Sequence, residues 1–353
     1  MINGIKKIAR SQLLVPIIAL LALIIFNLFR DINFFTISLI TNNEGNQVLS
    51  GNIISILTGA SELAILAIGM TLVTAAARGQ DISVGAAAAI AGSVFVNILR
   101  STQITPGVII GAFVACCLVA ILFGMFNGTL VAIFKIQPMI ASLILFTSGR
   151  SVAYWINGGA SPTVESPLIS HLGSFIPGIP IPTPVLVVIV FCIIVALILR
   201  FTNLGLYTQS VGINERSARL NGINSVWIKM LTFMFLGVCC AIAGVIAVSR
   251  IGLINHETIL LDIEMDAILA VAIGGNSLGG GKFSLIGSLM GAYIIQALTI
   301  TLYAMQVPST DVKAYKAIVI IAIVVLGSPI VKRYAAQLRD KLAKKPMKVT
   351  ENY

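Results

Sequence analysis

Ten apolar stretches, most of them about 20 residues long, dominate the chain and leave it few ways to fold. They run near 13–29, 53–77, 82–99, 107–134, 138–156, 183–200, 229–249, 266–276, 284–304 and 314–331. A helix of that length crosses the hydrocarbon core of a bilayer with every backbone group satisfied internally. Charged residues make up 10% of the 353, against roughly 25% in an ordinary soluble domain. That is too few to cover a soluble surface, and the apolar content excludes disorder. The expected fold is an all-α integral membrane protein of about ten transmembrane helices, forming a single transmembrane domain over 1–353. The stretch 266–276 is too short to cross alone, so some spans are expected to be broken or re-entrant.

The positive charges order these spans. Lys6, Lys7 and Arg10 precede the first apolar run, and no small-residue cleavage site follows it, so it reads as an uncleaved span. With the N-terminal segment 1–12 inside, the inner segments hold most of the 23 Lys and Arg. Arg30, Arg100, Arg150, Arg250, Lys313 and Lys316 are the exceptions. The positive-inside rule then predicts both termini on the cytoplasmic side of the membrane. The net charge of +10 is therefore an orientation signal and not a nucleic-acid footprint. The basic tail 332–353 is expected against anionic lipid headgroups.

Several chemistries are excluded. The five cysteines, Cys116, Cys117, Cys192, Cys239 and Cys240, all fall in apolar runs and read as small core residues. Two histidines without an HExxH pattern give no metal site, and no cofactor is expected. The segment Gly274–Lys282 imitates a P-loop but has Asn276 where its first glycine belongs and Phe283 after the lysine. Any ATP hydrolysis must come from another chain.

Charged residues inside the spans are rare, and a charge at the bilayer centre costs about 2.5–3.5 kcal/mol on insertion scales. Glu62 and Arg150 should therefore face protein or water, and pairing with each other is one way to satisfy both. With Asn127, Gln137, Ser142, Thr147 and Tyr154 they are the candidate lining of a path for a neutral, hydroxyl-rich solute. The polar segment 201–228 is the main inner loop. Asn214 can cap a short helix starting at Glu215, and Gly222 can end it. Arg216 and Arg219 share a face three residues apart. Glu215, Arg216, Arg219 and Gly222 are thus the candidate docking element for an energising partner. Gly85, Gly92, Gly287 and Gly291 suit tight helix crossings. A short echo, Ala64–Ala67 against Ala267–Ala270, precedes a glycine-containing break in each half.

A family resemblance rests on motifs in order along the chain. Leu66–Val73 is followed by Asp81-Ile-Ser83-Val-Gly85, then by Asn127–Val131 and Lys135–Leu143 leading to Gly149-Arg150. Val211–Asn214 and Ser217–Ile223 follow, and then Ala270–Gly275 (ending Gly274-Gly275) with Ser277–Lys282. This set resembles the permeases of ribose/galactose-type sugar ABC transporters, and the Lys135 segment with Asp266–Ala270 is most similar to the galactofuranose subgroup. The resemblance implies a permease subunit, not an enzyme, paired with a second permease subunit, either an identical copy or a sister chain. It also implies a cytoplasmic ABC ATPase docked on the 201–228 loop and an extracytoplasmic sugar-binding protein. The competing expectation is an ion-coupled secondary transporter of a small neutral solute. The scarcity of buried acids tells against it.

Overall fold

The computed structural model describes residues 13–41 and 45–327. The N-terminal cations and the basic tail lie outside the described residues. Helix α1 (Leu14–Arg30) leads through a 3-10 turn (Ile32–Phe35) into an antiparallel hairpin, β1 (Ser38–Thr41) with β2 (Gln47–Ser50), Ser38 opposite Ser50. Then come α2 (Asn52–Gly59), α3 (Ser61–Ala77), α4 (Val84–Ser101), α5 (Pro106–Ala132) and α6 (Pro138–Ile156). Short α7 (Pro167–Gly173) precedes α8 (Thr183–Phe201). The loop helices α9 (Leu204–Ile213) and α10 (Glu215–Leu220) lead to α11 (Ser225–Ile251), α12 (Ile263–Ile273), α13 (Leu285–Ala304) and α14 (Ser309–Gly327).

Local chemistry sets these boundaries. Proline stands in the first turn of α5, α6, α7 and α8, where its missing N–H is not needed. Thr105, Asn224 and Ser284 cap α5, α11 and α13 by accepting from Val108, Trp227 and Gly287 N–H. Helix α3 ends on Arg78 and α11 on Gly252, both left-handed.

Among the described residues, six helices are long and apolar enough to cross a membrane, or seven if α2 and α3, bent by 41°, form one span. The rest of the expected ten fall short for identifiable reasons. Helix α1 has 17 residues and α12 has 11, while α14 carries Asp311, Lys313 and Lys316. The expected broken span at 266–276 is α12, which runs into the loop 274–284 instead of continuing.

Helices α3 and α11 form the centre. Every residue of α3 from Ser61 to Ala76 is buried, and α11 packs on α3, α4 and α5. Lipid tails are as apolar as leucine, so this packing relies on close van der Waals contact and not on a hydrophobic drive. Small residues make the approach possible. A Cβ on Gly237 of α11 would strike the Ala120 carbonyl of α5, and one on Gly124 of α5 the Phe233 carbonyl of α11. The expected Gly287 and Gly291 crossing is present, each facing α12 backbone at Gly274 and Ala270. Gly92 packs on Val248 and Ile254, whereas Gly85 meets the side chains of Glu264 and Arg150 instead of crossing a helix.

Loop contacts divide the bundle into two ends. At the hairpin end, Leu49 N–H donates to Pro180 O, Ile254 N–H to Pro162 O, and Arg30 to Ala304 O. At the loop-helix end, Arg78 donates to Gly212 O (2.6 Å), Gln80 to Leu278 O (2.9 Å) and Gly281 N–H to Ala75 O (3.0 Å). These are the two groups of loops that alternation of ten spans would separate.

Candidate functional site

Among the polar groups that interrupt the apolar bundle, three sets stand where a helix breaks or ends. The first lies at the hairpin end. Arg250, in the last turn of α11, pairs with Glu62 of α3 at 2.9 Å and donates to Thr58 O of α2 at 3.0 Å. The pair pins the bend between α2 and α3. Glu62 sits in the first turn of α3, just past the bend, and its partner is Arg250 and not Arg150. The pairing expected from sequence fails because the bend brings α3 onto α11, a contact that linear spacing does not reveal. Arg250 and Glu62 line a cavity of about 290 Å³ with Asn255, Thr258, Ile259 and Leu260. That is close to the lower limit for a small-molecule site, with polar groups on an apolar wall. A larger groove of about 420 Å³, lined by residues such as Phe95, Phe113, Phe191 and Ile246, offers a hydroxylated solute no hydrogen bond.

The second set lies where α3 breaks before α4. Asp81 Oδ1 accepts from Ser83 N–H (2.8 Å) and Ser83 Oγ (2.6 Å). Asn127 Nδ2 of α5 donates to Asp81 Oδ2 (3.1 Å) and to Ser83 Oγ (3.0 Å). Ile82 N–H donates to Ser142 Oγ of α6 (3.0 Å). The motif residues Asp81 and Ser83 and the candidate path residues Asn127 and Ser142 are thus one buried cluster that ties the break to α5 and α6. A parallel cluster serves the second break. Asn276 Nδ2 donates to Ser288 Oγ (2.8 Å), which is 2.6 Å from Thr71 Oγ1, and Ser284 N–H donates to Asn276 Oδ1 (2.6 Å). Gly274 packs against Gly287, Gly275 turns with φ +80°, and Lys282 is exposed at the loop-helix end. The echoing segments Ala64–Ala67 and Ala267–Ala270 lie on α3 and α12, the helices that precede these two breaks.

The third set is the loop-helix end itself. Asn214 caps α10, its Oδ1 accepting from Ser217 N–H at 3.1 Å, and Gly222 follows with φ +79°. The helix foreseen in the sequence is present with its cap. Glu215 does not face outward. It accepts from Lys229 (2.7 Å) and Ser225 (3.0 Å) of α11, Arg219 (2.6 Å) and Lys135 (3.2 Å). Partial burial pushes the Glu215 carboxyl up, but the bond and charge of Lys229, with Ser225 and Lys135, outweigh it and hold it at about 2. Arg219 bonds Glu215 and Ser225 Oγ (2.7 Å) while staying exposed, and Arg216 is exposed beside it. What α10 also presents is Leu220, 87% exposed at its end. Sequence reasoning passed over this residue. Its signal was an apolar side chain in a polar loop.

Two of the remaining path candidates, Thr147 and Tyr154, share one face of α6. Thr147, Ser151 and Tyr154 are exposed in register, with Ser148 beside them, and the stripe continues toward the other end as Met139, Ile140, Leu143 and Ile144. Thr147 and Ser148 donate to carbonyls one turn back. Gln137 precedes α6 and is exposed at the loop-helix end. Arg150 turns the other way, its Nη1 donating to His256 O (2.7 Å), Glu257 O (3.2 Å) and Ile259 O (3.2 Å).

A bundle of apolar helices with two paired breaks, buried polar ties and a capped loop helix is the build of a multi-pass membrane permease. Residues 52–327 match the family described as branched-chain amino acid transport system / permease component, and the chain belongs to that family. It is 41% identical to the galactofuranose transporter permease protein of Escherichia coli (strain K12) over 284 residues, covering 79% of this chain and 80% of the relative. It is 34% identical to the fructose import permease protein of Bifidobacterium longum (strain NCC 2705) over 97% of this chain and 95% of the relative. The ribose import permease protein of Escherichia coli (strain K12) is 34% identical over 88% and 92%. The resemblance to sugar ABC permeases read from the motifs is thereby borne out. No solved structure matches the chain.

Proposed function

We propose that this chain is the membrane subunit of a binding-protein-dependent ABC importer of the cytoplasmic membrane, carrying a monosaccharide such as galactofuranose, galactose or ribose inward. The chain crosses about ten times with both termini cytoplasmic, which makes the loop-helix end the cytoplasmic end and the hairpin end the outer one. A second permease subunit, identical or sister, faces the hydroxyl stripe of α6. A stripe of Thr, Ser and Tyr toward lipid gains nothing, whereas toward a water-filled seam between two subunits it offers hydrogen bonds to a sugar. The binding protein delivers solute to the hairpin end, above the Glu62–Arg250 cavity.

The observation that carries this reading is α10. It is a short capped helix at the cytoplasmic end, clamped through Glu215 to both α11 and Lys135 of the α5–α6 turn, with Leu220 projecting. Such a helix transmits a push from an ATPase seated on Leu220 and Arg216 into α5, α6 and α11. In reconstituted complexes, Leu220→Asp is expected to reduce coupled uptake at least tenfold and to release the ATPase from the membrane fraction. Uptake equal to wild type would sink the assignment. Asp81, buried and bonded only to neutral groups among the described residues, is a feature that favours ion coupling. Uptake that survives a protonophore but stops on ATP depletion decides against it.

A further inference from the structure

One buried group of polar atoms is used by none of the contacts above. Arg150 Nη2 and Glu264 Oε2 are both buried and have no hydrogen-bond partner among the described residues. Glu264, in the first turn of α12, is 1% exposed. Both atoms close on Gly85 of α4. Glu264 Oε2 lies 2.5 Å and Arg150 Nη2 3.3 Å from the point where a Cβ on Gly85 would stand. The two are therefore about 6 Å apart or less, the span that one oxygen bridges with a hydrogen bond on each side. Arg150 cannot swing in to close it, because three backbone carbonyls hold its other nitrogen.

The chemistry of the gap is selective. The guanidinium repels a cation and the carboxylate repels an anion. A hydroxyl group accepts from the first and donates to the second, and only a neutral group with both capacities satisfies both orphan atoms. Position links the gap to the solute. The Leu260 carbonyl is 2.9 Å from the same point on Gly85, and Ile259 and Leu260 also wall the 290 Å³ cavity at the hairpin end. Leu260 has φ +47°, so this part of the wall is backbone held in a conformation that L residues seldom adopt. Tyr154 and His256 stand edge to face beside it, ring centroids 5.1 Å apart.

We infer that Arg150, Glu264 and Gly85 form a hydroxyl-recognition point on the translocation path, where one hydroxyl of a neutral sugar accepts from Arg150 Nη2 and donates to Glu264 Oε2. This rests on the reading of the chain as a sugar permease and names the groups that would make it selective.

The test uses vesicles holding the complete importer and compares uptake of D-ribose, D-fructose and D-galactose with that of their singly deoxygenated derivatives. Wild type and Glu264→Gln are compared on each, so the binding protein's own preferences cancel in the ratio. Glu264→Gln is expected to slow the transported parent sugar at least tenfold, yet to leave the one derivative that lacks the bridging hydroxyl within about twofold of its wild-type rate. Gly85→Ala, which crowds the gap without altering either charge, is expected to give the same pattern if it inserts normally. Slowing of parent and all derivatives by one common factor would mean that Glu264 is structural or holds only water, and would overturn the inference while leaving the permease reading intact. Wild-type vesicles that take up none of the three sugars would overturn both.

Discussion

Glu215 shows how one side chain changes meaning between sequence and fold. In the sequence it is the first residue of a capped loop helix and looks outward-facing. In the structure it is the hub that joins α10 to Lys135 and Lys229. The cap was legible because Asn214 and Ser217 are neighbours in the chain. The hub was not, because its cations stand 80 residues before it and 14 after. Its folded pKa of about 2 lies below the ordinary 4.5. A depressed carboxyl contributes stability that is fully present above the unfolded value and lost as pH falls through the folded one. Glu215→Gln is therefore expected to lower the thermal unfolding temperature of the purified permease at pH 7, and the difference from wild type should shrink as pH falls from about 4.5 toward 2. Coupling through the clamp should be constant between pH 5 and 8. Glu62 and Arg250 behave differently because Glu62 is buried. Arg250→Ala leaves a carboxylate unpaired and is expected to destabilise by about 3–5 kcal/mol. A smaller loss, measured by reversible unfolding, would mean that solvent reaches Glu62.

Among the elements, the two breaks decide most. Helix α12 approaches α13 so closely that a side chain on Gly291 has no room against the Ala270 carbonyl. Gly291→Val is expected to abolish stable insertion. Gly107→Val, in the open first turn of α5, is expected to insert as wild type, since nothing lies within 4 Å. Equal yields of the two variants would contradict the packing. The positions of the spans were readable because apolar runs are long and turn residues punctuate them. That the stretch 266–276 is too short to cross alone was readable from its length, and α12 there has 11 residues. Which face of α6 looks outward was not readable. A helix that is apolar nearly all round carries no periodic signal of what it packs against, and Thr147 and Ser142 look equivalent until one proves exposed and the other buried.

For the whole molecule, the α6 stripe predicts where water is. In a chain whose five cysteines are replaced, Ser151→Cys should react with a membrane-impermeant maleimide within the assembled importer, and Ile193→Cys on exposed α8 should not. The reverse result would move the path to another face. The loops of the two breaks meet, Gly281 N–H donating to Ala75 O and Gln80 to Leu278 O. Helix α4 does not begin at that meeting point, because its second residue, Gly85, lies against Leu260 and Glu264 at the opposite end of α12. The segment 78–83 therefore runs from the loop-helix end to the wall of the hairpin-end cavity, and a tug on one of its ends is a tug on the other, as with the two arms of a lever.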